Sequence, residues 1–122
     1  MTAVWHGIRY EVERMRPIDE VRKRIDPGSP AVSYLPEAGR EFPLQDSAPN
    51  GPLAGMAYLA KDLFDVPGWP TTASSRFLAG ERGIPDREAE LVRVLSAAGA
   101  VCVGKTHLNE FAYGLSGENP HF

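Results

Sequence analysis

Apolar positions are thinly spread and helically spaced near the start of the chain, scattered among prolines in its middle, and gathered into runs after Gly51. Ile18, Val21 and Ile25 share a helical period, Pro17 is tolerated in a first turn and Pro27 stops the run, so a short helix is predicted over 18–25. From 27 to 52 the prolines 27, 30, 36, 43, 49 and 52 predict irregular or extended chain, with a short strand around 32–35. Gly55 then opens Met56-Ala57-Tyr58-Leu59-Ala60, followed by Lys61-Asp62 and Leu63-Phe64-Asp65-Val66. A nearly continuous apolar run of this kind reads as a strand buried on both faces, ended by Pro67, Gly68 and Pro70. A loop of small and polar residues follows, Thr71-Thr72-Ala73-Ser74-Ser75.

The strongest helical pattern spans 86–98. Asp86 is the expected N-cap, Glu88 and Glu90 complement the helix dipole in the first turns, and Gly99 is placed to end it. Leu91, Val92, Leu95 and Ala98 make one apolar stripe, with Arg87, Glu90 and Arg93 facing away. A strand at 100–103, a turn at Gly104-Lys105-Thr106 and a short helix from Thr106 to about Tyr113 complete the reading. Strand, helix, strand is a βαβ crossover, which predicts a parallel sheet and the α/β class.

Composition narrows the function. The 122 residues carry 13 Lys and Arg against 16 Asp and Glu, so there is no basic excess to neutralise phosphates and no nucleic-acid partner is expected. Gly and Pro, 12 and 11 residues, exceed the ~12% share usual for soluble domains and argue against a helical bundle. The one cysteine, Cys102, sits in an apolar run and reads as a buried hydrophobe in a reducing compartment. With no signal-peptide core at the start and no apolar run near ~20 residues, a cytoplasmic chain without a membrane partner is predicted.

Four sets of residues invite chemistry. Gly99 to Thr106 match G-x-x-x-x-G-K-[ST], but a phosphate loop needs a strand before its first glycine and free amides within it. Here a helix precedes Gly99 and the intervening residues are β-formers, so Lys105 is expected to be a structural or hydrogen-bonding lysine. His6, His107 and His121 show no metal spacing, and His107 with Glu110 supplies only two ligands, so no metal is expected. Gly114-Leu115-Ser116-Gly117-Glu118 lacks the second glycine of a nucleophile elbow, and Ser74 and Ser75 default to turn hydrogen bonding. Lys61 follows five apolar residues of the predicted buried strand. Burial would favour its neutral form and make it a general base, whereas Asp62 beside it offers an ordinary salt bridge.

The stretches GPLAGMAYLAKDLFDVPGWPTTASS (51–75), DREAELVRVLSAAGAVCVGKT (86–106) and NEFAYGLSGEN (109–119) resemble, in order and spacing, the start of the amidase signature family, whose members hydrolyse carboxamides or transfer the ammonia released. The resemblance implies a mixed β-sheet flanked by helices, incomplete in this chain, with residues 1–50 an N-terminal helix and Pro-rich arm and 51–122 the first part of the domain. It also implies that Lys61 is the base of a Ser–cis-Ser–Lys triad, with no metal or organic cofactor. Both serines of that triad belong to a Gly/Ser-rich segment further along the family domain, so this chain by itself is expected to be inactive and marginally stable without the remainder of the domain as partner. The substrate is expected to be a small or peptide-like carboxamide. Alternatives are a non-catalytic truncated product, a nucleotide-binding module built on Lys105, and a glutamine-hydrolysing amidotransferase subunit. Two positions depart from the family's usual residues: Ser74 stands where Gly is usual, and His107 where Asn is usual.

Overall fold

A computed structural model describes residues 2–5, 8–11, 18–43 and 51–122; His6, Pro17 and Pro49 of the sequence reading lie outside them. Strands β1 (Thr2–Trp5) and β2 (Ile8–Glu11) form an antiparallel hairpin with Thr2 opposite Glu11 and Trp5 opposite Ile8. Sequence reasoning passed over this hairpin because charges dominate the segment, although Ile8 and Tyr10 alternate with Arg9 and Glu11 at the strand period. Helix α1 (Ile18–Arg24) and strand β3 (Val32–Tyr34) stand where the periodicity predicts them.

The central sheet has the order β3-β5-β4, with β4 at Ala57–Lys61 and β5 at Val101–Thr106. The class is α/β and the sheet is mixed, as the resemblance implies: β4 runs parallel to β5, as the crossover predicts, while β3 pairs with β5 antiparallel through Val32–Thr106 and Tyr34–Lys105. A bridge between Phe42 and Cys102 extends the β3 side. The Pro-rich arm thus supplies pairing that covers one edge of β5, which a parallel sheet would otherwise leave to solvent.

The apolar run after Gly55 is a shorter strand than predicted. β4 ends at Lys61 because the amides of Leu63 and Phe64 both turn back to the Lys61 carbonyl, at 2.7 and 3.0 Å. The apolar residues beyond it fold under the sheet, where Val66 and Trp69 join Ala60, Val92 and Cys102 in the core. A run of apolar residues marks burial, and a turn that plugs a core satisfies it as well as a strand does.

Helix α2 (Arg76–Glu81) follows the small-residue loop, and helix α3 (Glu90–Ala97) forms the crossover. The predicted start at Asp86 is corrected: Ala89 takes the N-cap position in extended conformation, its amide held by the Asp65 carbonyl at 2.9 Å. Leu91 is also corrected, since the face that packs is centred on Val92 while Leu91 is 48% exposed. The end of α3 follows the prediction. Gly99 adopts φ +93, and the amides of Gly99 and Ala100 reach the carbonyls of Ser96 and Leu95 in a Schellman pattern.

β5 runs on through Gly104, Lys105 and Thr106, where a turn was expected. The strand persists because it is paired on both sides and because Gly104 permits a close approach. A Cβ there would lie 2.6 Å from Leu35 Cδ2 and 2.8 Å from the Tyr34 carbonyl oxygen. The short helix expected after Thr106 is reduced to a 3-10 turn at Glu110–Ala112, with Phe111 at φ +54. Among the described residues no helix is long and apolar enough to cross a membrane.

Candidate functional site

The parallel strands β4 and β5 end side by side, Lys61 opposite Thr106. The edge at the carboxyl ends of parallel strands is where α/β sheets bind ligands, because loops diverge there and leave a crevice. Strand alternation sends Lys61 and Asp62 to opposite sides: the Lys61 side is exposed, and Asp62 is buried with 2% exposure. This corrects the expectation of a buried Lys61.

Burial falls instead on Lys105, which has no exposed surface. Its ammonium lies 2.6 Å from Asp62 Oδ1 and donates to the Pro70 carbonyl and Thr71 Oγ1, both at 2.7 Å. Three partners use all three of its hydrogens. Burial pulls the Lys105 pKa below the ordinary lysine value, against the opposing pull of Asp62. The second oxygen of Asp62 accepts Thr72 Oγ1 at 2.5 Å and the Thr72 amide at 3.2 Å, with the Ser74 amide at a longer 3.5 Å. The Ala73 amide reaches the Asp62 carbonyl at 2.9 Å. Removing one partner of a buried ion pair so fully bonded would leave the other stranded at a cost of about 3–5 kcal/mol. The pair therefore clamps the loop 70–74 to the ends of both strands. Lys105, the hydrogen-bonding lysine expected from sequence, has no donor left for a phosphate, and the β5 amides around it lie in a paired strand.

The loop is held from its other side as well. Ala73 and Ser74 occupy the left-handed region, at φ +49 and +50, a conformation that costs an L-residue about 1–2 kcal/mol. Ser74 is fully buried. Its Oγ accepts the Leu108 amide at 3.1 Å and lies 2.9 Å from His107 Nδ1, while its carbonyl accepts Asn119 Nδ2 at 2.8 Å. The Phe111 amide reaches the Ala73 carbonyl at 3.0 Å. Burial lowers the His107 pKa from its ordinary value, with the charge of Asp62 acting the other way. Ser75, equally buried, starts α2 with its hydroxyl unpartnered.

Other sequence candidates find separate partners. His107 engages Ser74, while Glu110 approaches His121 at 3.8 Å. Ser116 accepts the Glu118 amide at 3.2 Å within a local turn. Cys102 is buried, as expected, and burial pushes its thiol pKa up. The site residues that sequence reasoning missed are Asp62 as an anchor and Asn119 as a strap. Their partners lie 10 to 45 positions away in the chain, and only the placement of Lys61 beside Asp62 hinted at either.

A glutamyl-tRNA(Gln) amidotransferase subunit of Salinispora arenicola is 50% identical over 74 residues, which are 61% of this chain and 15% of that protein. The corresponding subunit of Ralstonia nicotianae is 46% identical over 72 residues, 59% of this chain and 14% of that protein. The chain thus spans about a seventh of the length of these curated relatives. Among solved structures, the glutamyl-tRNA(Gln) amidotransferase subunit of Thermotoga maritima superposes with a TM-score of 0.65 at 33% identity, covering 84% of this chain and 21% of that one. The urea amidolyase of K. lactis gives 0.63 at 31% identity, covering 84% of this chain and 7% of that one. The model of the Amidase family matches residues 34–122, well over half of the chain, and the chain belongs to that family.

Proposed function

We propose that this chain carries the general base of an amide-hydrolysing site, Lys61, whose two serine partners are supplied by the rest of an amidase domain. The observation that carries the reading is the division between the two lysines at the sheet edge. Lys105 is sealed and fully bonded, whereas Lys61, one strand over, is exposed on the opposite side of a clamped backbone. Carboxamide hydrolysis needs a base that takes a proton from a hydroxyl nucleophile, so that the oxygen can attack the carbonyl, an acyl-enzyme can form and ammonia or an amine can leave. In the triad that the family resemblance implies, Lys61 accepts that proton through a bridging serine, and water then releases the acid. Apolar side chains left open on several elements, among them Phe77, Leu91, Val94 and Leu115, support the view that further chain covers this unit.

A glutamine-hydrolysing amidotransferase subunit is a second reading. The relatives named above, at 46–50% identity, favour it. In both readings Lys61 has the same duty.

The test is hydrolysis of a simple carboxamide, and of glutamine, by the intact gene product with and without Lys61→Ala. Loss of a general base in a triad is expected to lower kcat by at least about 10³-fold with the fold unchanged. Turnover that survives the substitution would refute the assignment.

A further inference from the structure

Ser74 and His107 are 33 residues apart in the chain and touch in the fold. Ser74 holds a left-handed backbone that a non-glycine residue occupies under strain, so something must keep it there. Its hydroxyl is sealed from solvent, which rules it out as a nucleophile, and carries one hydrogen to place. The Leu108 amide already donates to Oγ. All atoms are satisfied when Ser74 donates to an unprotonated Nδ1 of His107, which leaves the ring hydrogen on Nε2. A protonated ring, or the Nδ1–H tautomer, would aim a second donor at Oγ and strand the serine hydrogen in a buried site.

We propose that Ser74 and His107 form a positioning pair for the Lys61 site: the neutral, Nε2-protonated imidazole holds the Ser74 hydroxyl and fixes the strained loop 71–75, and protonation of His107 loosens that loop. The proposal rests on the reading of Lys61 as the base. The route from pair to base is short. Loop residues Thr72 and Ala73 hold Asp62 by side chain and backbone, and Asp62 directly follows Lys61.

The groups around the imidazole fit this role. Asp62 faces it from the end of β4 but is already paired with Lys105 of β5. Tyr34 of β3 lines, with Asp62 and His107, a cavity of about 110 Å³. Glu118 lines a second recess shared with His107, and the Phe122 ring stacks on the imidazole at 4.6 Å. Burial lowers the His107 pKa, so the sign follows directly. The contribution of this group is complete above the unfolded value of about 6.5. It falls as pH drops from there through the folded value, and is constant below it.

The test is a pH titration of imidazole ¹⁵N shifts in the intact gene product, with His107 assigned by substitution, alongside pH–rate profiles. The expected result is an Nε2–H tautomer titrating below 6.5, with a midpoint that moves up in Ser74→Gly. His107→Asn, whose amide oxygen can accept the hydroxyl but does not titrate, is expected to remove the His107 step from the acid limb. His107→Leu, which offers no acceptor, is expected to lower kcat about tenfold at every pH with KM little changed. An Nδ1–H tautomer, or a midpoint indifferent to Ser74→Gly, would overturn the pair. Hydrolysis surviving Lys61→Ala would overturn the underlying reading of the base, and the ring titration would be unaffected by that failure.

Discussion

Lys61 is the last residue of β4 and Lys105 the last but one of its parallel neighbour β5, and the fold treats them in opposite ways. Lys105 has no exposed surface, and its three donors are spent on Asp62, Pro70 and Thr71. Lys61 is exposed, and the ladder beneath it is fixed by the turn amides and by the Asp62 amide on the Thr106 carbonyl at 3.0 Å. One lysine is bound into the scaffold and the other stands exposed beside it. A buried, paired ammonium shapes a site without reacting in it, and an exposed one needs that scaffold to be held in place.

Substitutions at and around the two lysines test this contrast. The largest effect on stability is expected from Lys105→Met, which strands the Asp62 carboxylate and should cost about 3–5 kcal/mol in denaturant unfolding; Lys61→Met should stay within about 0.5 kcal/mol. Equal losses at the two positions would erase the distinction. Next comes Gly104→Ala, where the new Cβ would meet Leu35, Tyr34 and Leu59 within 2.9 Å; overpacking of this kind should cost about 1–3 kcal/mol, read as a lower Tm. A smaller loss, ~2 kcal/mol, is expected for Val92→Ala, which removes two buried methyl groups from the face of α3 that meets the core. That change should leave the surroundings of Lys61 and Lys105 intact, because none of the hydrogen bonds that hold the loop 70–74 involves Val92.

Much of this was legible in the residues. The β-formers of 101–103 and the stripe around Val92 announced β5 and α3, and Gly99 announced the end of the helix. The region matched by the family model includes the three stretches in which sequence reasoning found the resemblance. The environment of each lysine was less legible. Five apolar residues before Lys61 suggested burial, yet a side chain at the last position of a strand can point to solvent when the next one points inward. The burial of Lys105 depends on Pro70 and Thr71, some 35 positions back in the chain, and no local pattern carries that information. The Ser74–His107 contact is likewise a product of topology, since β4 and β5 must pair before the two residues meet.

The most direct test of the contrast is amine-reactive labelling of the native gene product, read by peptide mass spectrometry at the three lysines of this segment, Lys23, Lys61 and Lys105. Lys23 is expected to react at the rate typical of an exposed amine, and Lys61 faster than Lys105. Lys105 is expected to stay unmodified until the protein is unfolded, and then to react like the others. Protection of Lys61 together with ready labelling of Lys105 in the native state would contradict the account.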